Sequence, residues 1–125
     1  MESETAKKIA NYRDLLVFQR SYDLALKIHR ITQKFPAFER RELGSQLRRA
    51  ASSISINIAE GYGRKRSADD FKRFLVIAMG SSNEVSVELA LAKDLGYLDK
   101  KTHEELESEC DQIGRMINKL IQVWR

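Results

Sequence analysis

Apolar residues recur along this chain at intervals of three and four, with no sustained alternation at two. That period is the mark of amphipathic helices rather than strands. Leu15, Phe18, Tyr22, Ala25, Ile28 and Thr32 share one face of a predicted first helix. Pro36 ends it, because the α conformation is disfavoured at Phe35 before it. A second helix is expected from near Arg40 or Arg41, with Leu43, Leu47, Ala51, Ile54 and Ile58 as its stripe. Gly61 reads as its stop, in the left-handed position that glycine tolerates. Ser67 then reads as an N-cap, and Ser67-x-x-Asp70 as a variant of the capping box. The third helix should run from about Ala68 to Leu95 and stop at Gly96, a length of about 40 Å. The fourth is expected to open on Thr102 as N-cap, with Glu105 completing a capping box. Leu106, Cys110, Ile113, Ile117, Leu120 and Trp124 follow as a heptad-like seam.

Four amphipathic helices joined by short turns predict an all-α fold, an antiparallel up-and-down four-helix bundle. Residues 1–125 form one domain in this reading, with residues 1–11 as a flexible N-terminal arm. The third helix stands apart. Its centre, "FLVIAMG", is apolar on nearly every side. Such a helix is either central in the fold or covered again in an oligomer. The small residues Gly80, Ser81 and Ser82 beside it allow another helix to approach closely.

Composition narrows the picture further. Six glycines and one proline leave little room for a turn-rich β architecture. No apolar run is expected to reach the roughly 18 residues of a membrane span. The stretch "MESETAKKIANY" lacks the apolar core of a secretory signal. A cytoplasmic protein without membrane contact is the expectation. The net charge is +4, but its distribution is uneven. Arg40 to Arg73 holds nine cations and four acids, a net +5. Glu84 to Gln112 holds three cations and nine acids, a net −6. Such asymmetry suits a polyanion partner, or the docking of one copy's basic face on another's acidic face.

The usual signatures of catalysis are missing. A di-iron bundle needs Glu-x-x-His pairs, yet Leu26 and Lys100 stand three residues before His29 and His103. The one cysteine, Cys110, lies on an apolar seam and is expected to be a buried, inert thiol. It excludes an internal disulfide and offers no zinc spacing. Gly61-Tyr62-Gly63 follows a helix rather than a strand, so it fails the context of a dinucleotide loop. No metal and no cofactor are expected. What stands out is the segment "INIAEGYGRKRSADDF", where Arg64, Lys65 and Arg66 follow Tyr62 in a turn. A cation patch beside an aromatic is a common arrangement for single-stranded RNA. One turn into the next helix come Lys72 and Arg73. The second helix adds Arg48 and Arg49, and a polar file of Arg49, Ser53, Asn57 and Glu60. That file is either an exposed edge or a network in which Arg49 or a neighbour meets Glu60 or Glu84.

Three stretches carry a resemblance: "DLLVFQRSYDLALKI", "QLRRAASSISINIAEGYGR" and "FKRFLVIAMGSSNEV". Together they resemble the four-helix-bundle proteins encoded in intervening sequences of bacterial 23S rRNA genes. The likeness runs from about Tyr12 into the last helix. The resemblance implies a four-helix bundle similar in fold to the accessory protein of diversity-generating retroelements. That accessory protein is a pentameric barrel with a basic surface that works with a reverse transcriptase and RNA. The resemblance therefore implies a homopentamer, and RNA or a reverse-transcriptase-like nucleoprotein as partner. It implies no catalytic residues. Asn57, Ile58, Ala59, Glu60, Gly61, Gly80, Ser81 and Glu84 match the family's pattern and read as packing positions.

Residues and resemblance together give a leading expectation of a non-enzymatic oligomeric bundle. It would bind RNA or a nucleoprotein through Arg48, Arg49, Tyr62, Arg64, Lys65, Arg66, Lys72 and Arg73, mainly at phosphates. The alternative is a self-assembling scaffold or protein-interaction module without nucleic acid. A nuclease using Glu60 with Asp69 or Asp70 ranks last, since no cluster is fixed by spacing.

Overall fold

The computed structural model describes residues 8–125. Four long helices form the bundle: α1 (Leu16–Thr32), α3 (Leu43–Gly63), α4 (Ala68–Asp94) and α5 (Lys100–Val123). A short helix, α2 (Ala37–Arg41), sits in the connection between α1 and α3. Packed neighbours run α1–α3, α3–α4, α4–α5 and α5–α1, which closes the bundle. Among the described residues there is no strand. The core is a single column of buried side chains, with Leu24 and Ile28 from α1 and Leu47, Ile54 and Ile58 from α3. Facing them are Phe71, Leu75 and Leu89 from α4, and Leu106, Ile113 and Ile117 from α5.

The buried face of α1 is turned slightly from its expected position. Val17, Ser21, Leu24, Ala25 and Ile28 are buried, whereas Tyr22 is exposed. Phe18 and Tyr22 instead stack on each other at 5.8 Å, and Phe18 meets Tyr12 edge-on at 4.8 Å. Tyr12 belongs to a 3-10 turn, Tyr12–Asp14, held by a capping box in which Asn11 accepts from Arg13 N at 2.8 Å. Ala10 and Asn11, at the end of the expected arm, are tied to this turn, Ala10 N donating to Asp14 Oδ2 at 2.8 Å; residues 1–7 of that arm lie outside the described residues.

Two helix ends differ from expectation. The helix expected to stop at Gly61 continues to Gly63, and Gly61 is buried within it. A Cβ on Gly61 would stand 2.7 Å from Phe74 Cβ and 3.0 Å from Phe71 Cδ1. Gly61 is thus a closest-approach point between α3 and α4, not a stop. The cap of α5 is Asp99 rather than Thr102: its Oδ1 accepts from Thr102 N at 2.7 Å. That hydrogen bond holds the Asp99 carboxyl below its ordinary range. Two other ends match the sequence. Ser67 Oγ accepts from Asp70 N at 3.1 Å and opens α4. Gly96, at φ +86°, ends α4. Tyr97 N donates to Ala92 O at 2.8 Å and Gly96 N to Lys93 O at 3.0 Å, the paired bonds of a Schellman turn.

α4 is the exception to the expectation about membrane-length runs: by length and composition alone it is apolar enough to cross a bilayer. In this fold Phe71, Leu75, Ala78, Val85 and Leu89 on one side of it are core.

Candidate nucleic-acid interface

The α3–α4 connection, residues 64–67, is a tight turn. Arg64 N donates to Gly61 O at 2.9 Å, Lys65 N to Tyr62 O at 3.1 Å and Ser67 N to Arg64 O at 3.1 Å. The first two bonds consume the Gly61 and Tyr62 carbonyls of α3, the third closes the turn itself, and three consecutive side chains point outward. Arg64, Lys65 and Arg66 are all exposed. α4 then adds half-buried Lys72 and exposed Arg73 on its first turns. The segment 64–73 carries five cations against Asp69 and Asp70. The ion pair described here is Arg73–Asp70 at 3.6 Å, a half-exposed i,i+3 contact of little energetic weight. Arg64, Lys65, Arg66 and Lys72 make no ion pair among the described residues.

Aromatic rings support this cationic shell from beneath. Lys65 Nζ lies 4.4 Å from the Tyr62 ring centroid, while Arg64 and Arg73 lie 5.1 Å and 4.7 Å from that of Phe74. Tyr62 is not the exposed stacking platform expected from sequence. It is 6% exposed and packs edge-on against Phe71 at 6.1 Å and Trp124 at 6.5 Å. Its faces are spent on the core and on Lys65. Trp124, which also meets Phe71 at 4.7 Å, brings Arg125 to the same end of the bundle. Sequence reasoning missed Arg125 because only tertiary packing places it there.

Arg48 leaves the proposed set. Its guanidinium turns inward to donate to Thr32 Oγ1 at 2.9 Å and Arg40 O at 2.8 Å. It ties together the α1–α2–α3 corner, beside Gly44, whose added Cβ would stand 3.1 Å from Glu39 O. Arg49 is exposed, yet lies about 22 Å along α3 from Arg64. It donates to Ser45 Oγ at 3.2 Å and lines an apolar groove with His29, Ser52 and Ile56. The structure therefore gathers Arg64, Lys65, Arg66, Lys72 and Arg73, and leaves Arg49 apart.

The polar file of α3 is a network of another kind than an ion pair. Ser53 Oγ and Ser81 Oγ share a hydrogen bond at 2.9 Å across the α3–α4 seam. Asn57 Nδ2 donates to Ser53 O at 2.8 Å and to Ser53 Oγ at 3.0 Å. Neither Glu60 nor Glu84 takes part in an ion pair among the described residues. The Ser53–Ser81 hydroxyl pair links α3 to α4 instead, and Asn57 braces Ser53 from within α3.

Elsewhere, a cavity of about 400 Å³ opens between α4 and α5, lined by Ser82, Ser86, Glu107, Cys110 and Gly114. Ser86 Oγ donates to Glu107 Oε2 at 2.5 Å. Burial pushes the Cys110 thiol up to about 12, so it is protonated at neutral pH, as expected of an inert buried cysteine. Among the described residues no group of three or more His, Cys, Asp or Glu is placed to hold a metal ion.

The family model described as 23S rRNA-intervening sequence protein matches residues 13–119. Among solved structures, a protein of unknown function from the S23 ribosomal protein family of Bacteroides thetaiotaomicron VPI-5482 superposes with a TM-score of 0.76. It is 24% identical, and the match covers 86% of this chain and 100% of that one. This likeness speaks to the fold. No curated protein matches the chain.

Proposed function

The chain belongs to the 23S rRNA-intervening sequence protein family, and on that premise we propose a non-enzymatic helical bundle that docks RNA at its basic end. The observation that carries this reading is the cluster of Arg64, Lys65, Arg66, Lys72 and Arg73 around one tight turn. Four of these cations lack a carboxylate partner among the described residues. Arg64 and Lys65 rest on rings rather than on carboxylates, and all four remain available to phosphate oxygens. No exposed aromatic accompanies them at the turn, since Tyr62 is buried. The docking is therefore to backbone rather than to bases, salt-dependent and only weakly sequence-specific. A cytoplasmic location belongs to the same proposal.

A second observation favours self-association alongside it. Val76, Ile77, Val87, Leu91 and Leu95 line the outer face of α4 and are 43–67% exposed. They form two apolar patches spread over about 28 Å, Val76 with Ile77 and Val87 with Leu91 and the C-cap Leu95, separated by exposed Gly80, Asn83 and Glu84. The proposed occupant is a second copy of the chain. The net +5 segment and the stretch Asp94–Asp111, with seven acids and two cations (net −5), give such copies complementary charge in a head-to-tail contact away from Glu84 and Glu88. Contacts of that kind can close into a ring; five subunits is the number that the family resemblance suggests.

The RNA reading is tested by fluorescence anisotropy with a structured fragment of 23S rRNA. Joint replacement of Arg64, Lys65 and Arg66 by Ala should weaken binding at least about tenfold at moderate salt. Equal binding by the variant, or none by the wild type, would sink it. The scaffold reading without RNA predicts the second result, together with a changed assembly mass in the variant.

A further inference from the structure

The apolar face of α4 is not uniformly apolar. Glu84 and Glu88 stand one helical turn apart beside Val87 and Leu91, on the flank of α4 that faces α3. Glu84 is exposed, while Glu88 is only 8% exposed and its Oε1 is buried without a hydrogen-bond partner. Among the described residues no cation pairs with either glutamate. The Ser53–Ser81 hydrogen bond sets an antiparallel register that brings Gln46 and Arg49 of α3 to this level. Arg49, however, donates to Ser45 Oγ and makes no ion pair with either glutamate. On the α5 side, Glu107 is engaged by Ser86, on the opposite flank of α4. The segment between Arg73 and Lys93 contains no cation at all.

Resting on the reading of α4 as an association surface, we propose that copies of the chain associate with uptake of protons at the Glu84–Glu88 pair. A second copy laid along Val87 and Leu91 would take water from both carboxyls. Two carboxylates one turn apart repel each other, and in a dry seam they cannot both stay ionised. The neutral form is the one that the seam accepts. The isolated chain already leans that way: burial, then the charge of Glu84, pushes the Glu88 carboxyl up to about 7. Association is strongest below that point and is lost as pH rises through it. The apparent dissociation constant should rise by up to about tenfold per pH unit above 7 for each proton taken up.

Light scattering and sedimentation of the wild type at pH 6, 7 and 8.5 test this. The expected result is an assembly whose mass falls as pH rises, and a Glu88→Gln variant that stays assembled at pH 8.5. Glu84→Gln, at an exposed position, leaves one carboxyl fewer to be protonated, so association should weaken less steeply with pH; it serves if Glu88→Gln folds poorly. A wild-type mass independent of pH overturns the proposal. So does association that tightens with pH and weakens in Glu88→Gln, the mark of a neighbour's cation seated on the pair. A joint Val87→Asp and Leu91→Asp variant, both at exposed positions, should be monomeric at every pH. If that variant keeps the wild-type mass, or the wild type is monomeric throughout, the association reading of α4 itself fails.

Discussion

Gly61→Ala puts a single methyl into the closest contact between α3 and α4. The added Cβ would lie 2.7 Å from Phe74 Cβ, 3.0 Å from Phe71 Cδ1 and 3.3 Å from Phe71 O. Carbon atoms in good contact sit about 3.5–4.0 Å apart. The helices must therefore separate by about 1 Å locally, because a Cβ and a backbone oxygen cannot swing aside as a flexible side-chain tip can. Overpacking of this kind costs about 1–3 kcal/mol. Against it stands the gain of about 1 kcal/mol from replacing Gly by Ala in a helix interior. With contacts this short, the upper part of the range applies and the net loss is about 1–2 kcal/mol. Gly80→Ala is the internal reference, since nothing lies within 4 Å of its added Cβ. It should gain about 1 kcal/mol from propensity alone. Thermal unfolding followed by circular dichroism should separate the two variants by about 10 °C, taking about 4 °C per kcal/mol for a domain of this size. Running both at two protein concentrations removes any contribution from association. If Gly61→Ala proves as stabilising as Gly80→Ala, the close approach of α3 and α4 is wrong.

Arg48→Ala removes both bonds at the α1–α2–α3 corner and should cost about 1–3 kcal/mol in urea unfolding, whereas Arg49→Ala should stay within about 0.5 kcal/mol of wild type; equal effects would refute the inward role of Arg48. Asp99→Ala should lower the unfolding midpoint more than Thr102→Val, because Asp99 supplies the capping oxygen for the Thr102 backbone N–H, whereas the Thr102 hydroxyl adds only a second bond to the same carboxylate. Since the folded Asp99 carboxyl is held low, its contribution is present above the ordinary carboxylate range and fades as pH falls through its folded value; a pH series on the Asp99→Ala variant reads this. Glu88 has the opposite sign: the folded form binds its proton more tightly, so ionisation destabilises the fold as pH rises from about 4.5 through about 7. Glu88→Gln should accordingly be more stable than wild type by about 1–3 kcal/mol at pH 8 and close to it at pH 4.5; a constant offset across pH would contradict the assignment.

The bundle was legible because its signals are local and repeated. The seam from Leu106 to Ile117 is buried as its spacing predicts, and Gly96 stops α4 because only the left-handed backbone there satisfies the last carbonyls. Gly61 misled because a glycine near a helix end has two uses, and close packing against Phe74 can be seen only in three dimensions. Asp99 was overlooked because Thr102 with Glu105 formed an equally good local pattern three residues later. At the site, the outward cations of the turn could be read from charge and turn chemistry alone. The burial of Tyr62 could not, since Trp124 reaches it from the far end of the sequence. Likewise, nothing local distinguishes Arg48 from Arg49; the helical angle at the α1–α2–α3 corner makes one structural and leaves the other in solvent.

The central claim is that the cations of the α3–α4 turn meet RNA phosphates, and the salt dependence of binding tests it most directly. Anisotropy titrations of a structured 23S rRNA fragment between 50 and 300 mM salt are expected to give, as about five phosphates are engaged, a plot of log K against log salt with slope about −3.5 to −4.5. Removing the charges of Arg64, Lys65 and Arg66 should make the slope shallower by about 2–3. A slope near zero for the wild type, or an unchanged slope in the variant, would contradict the account.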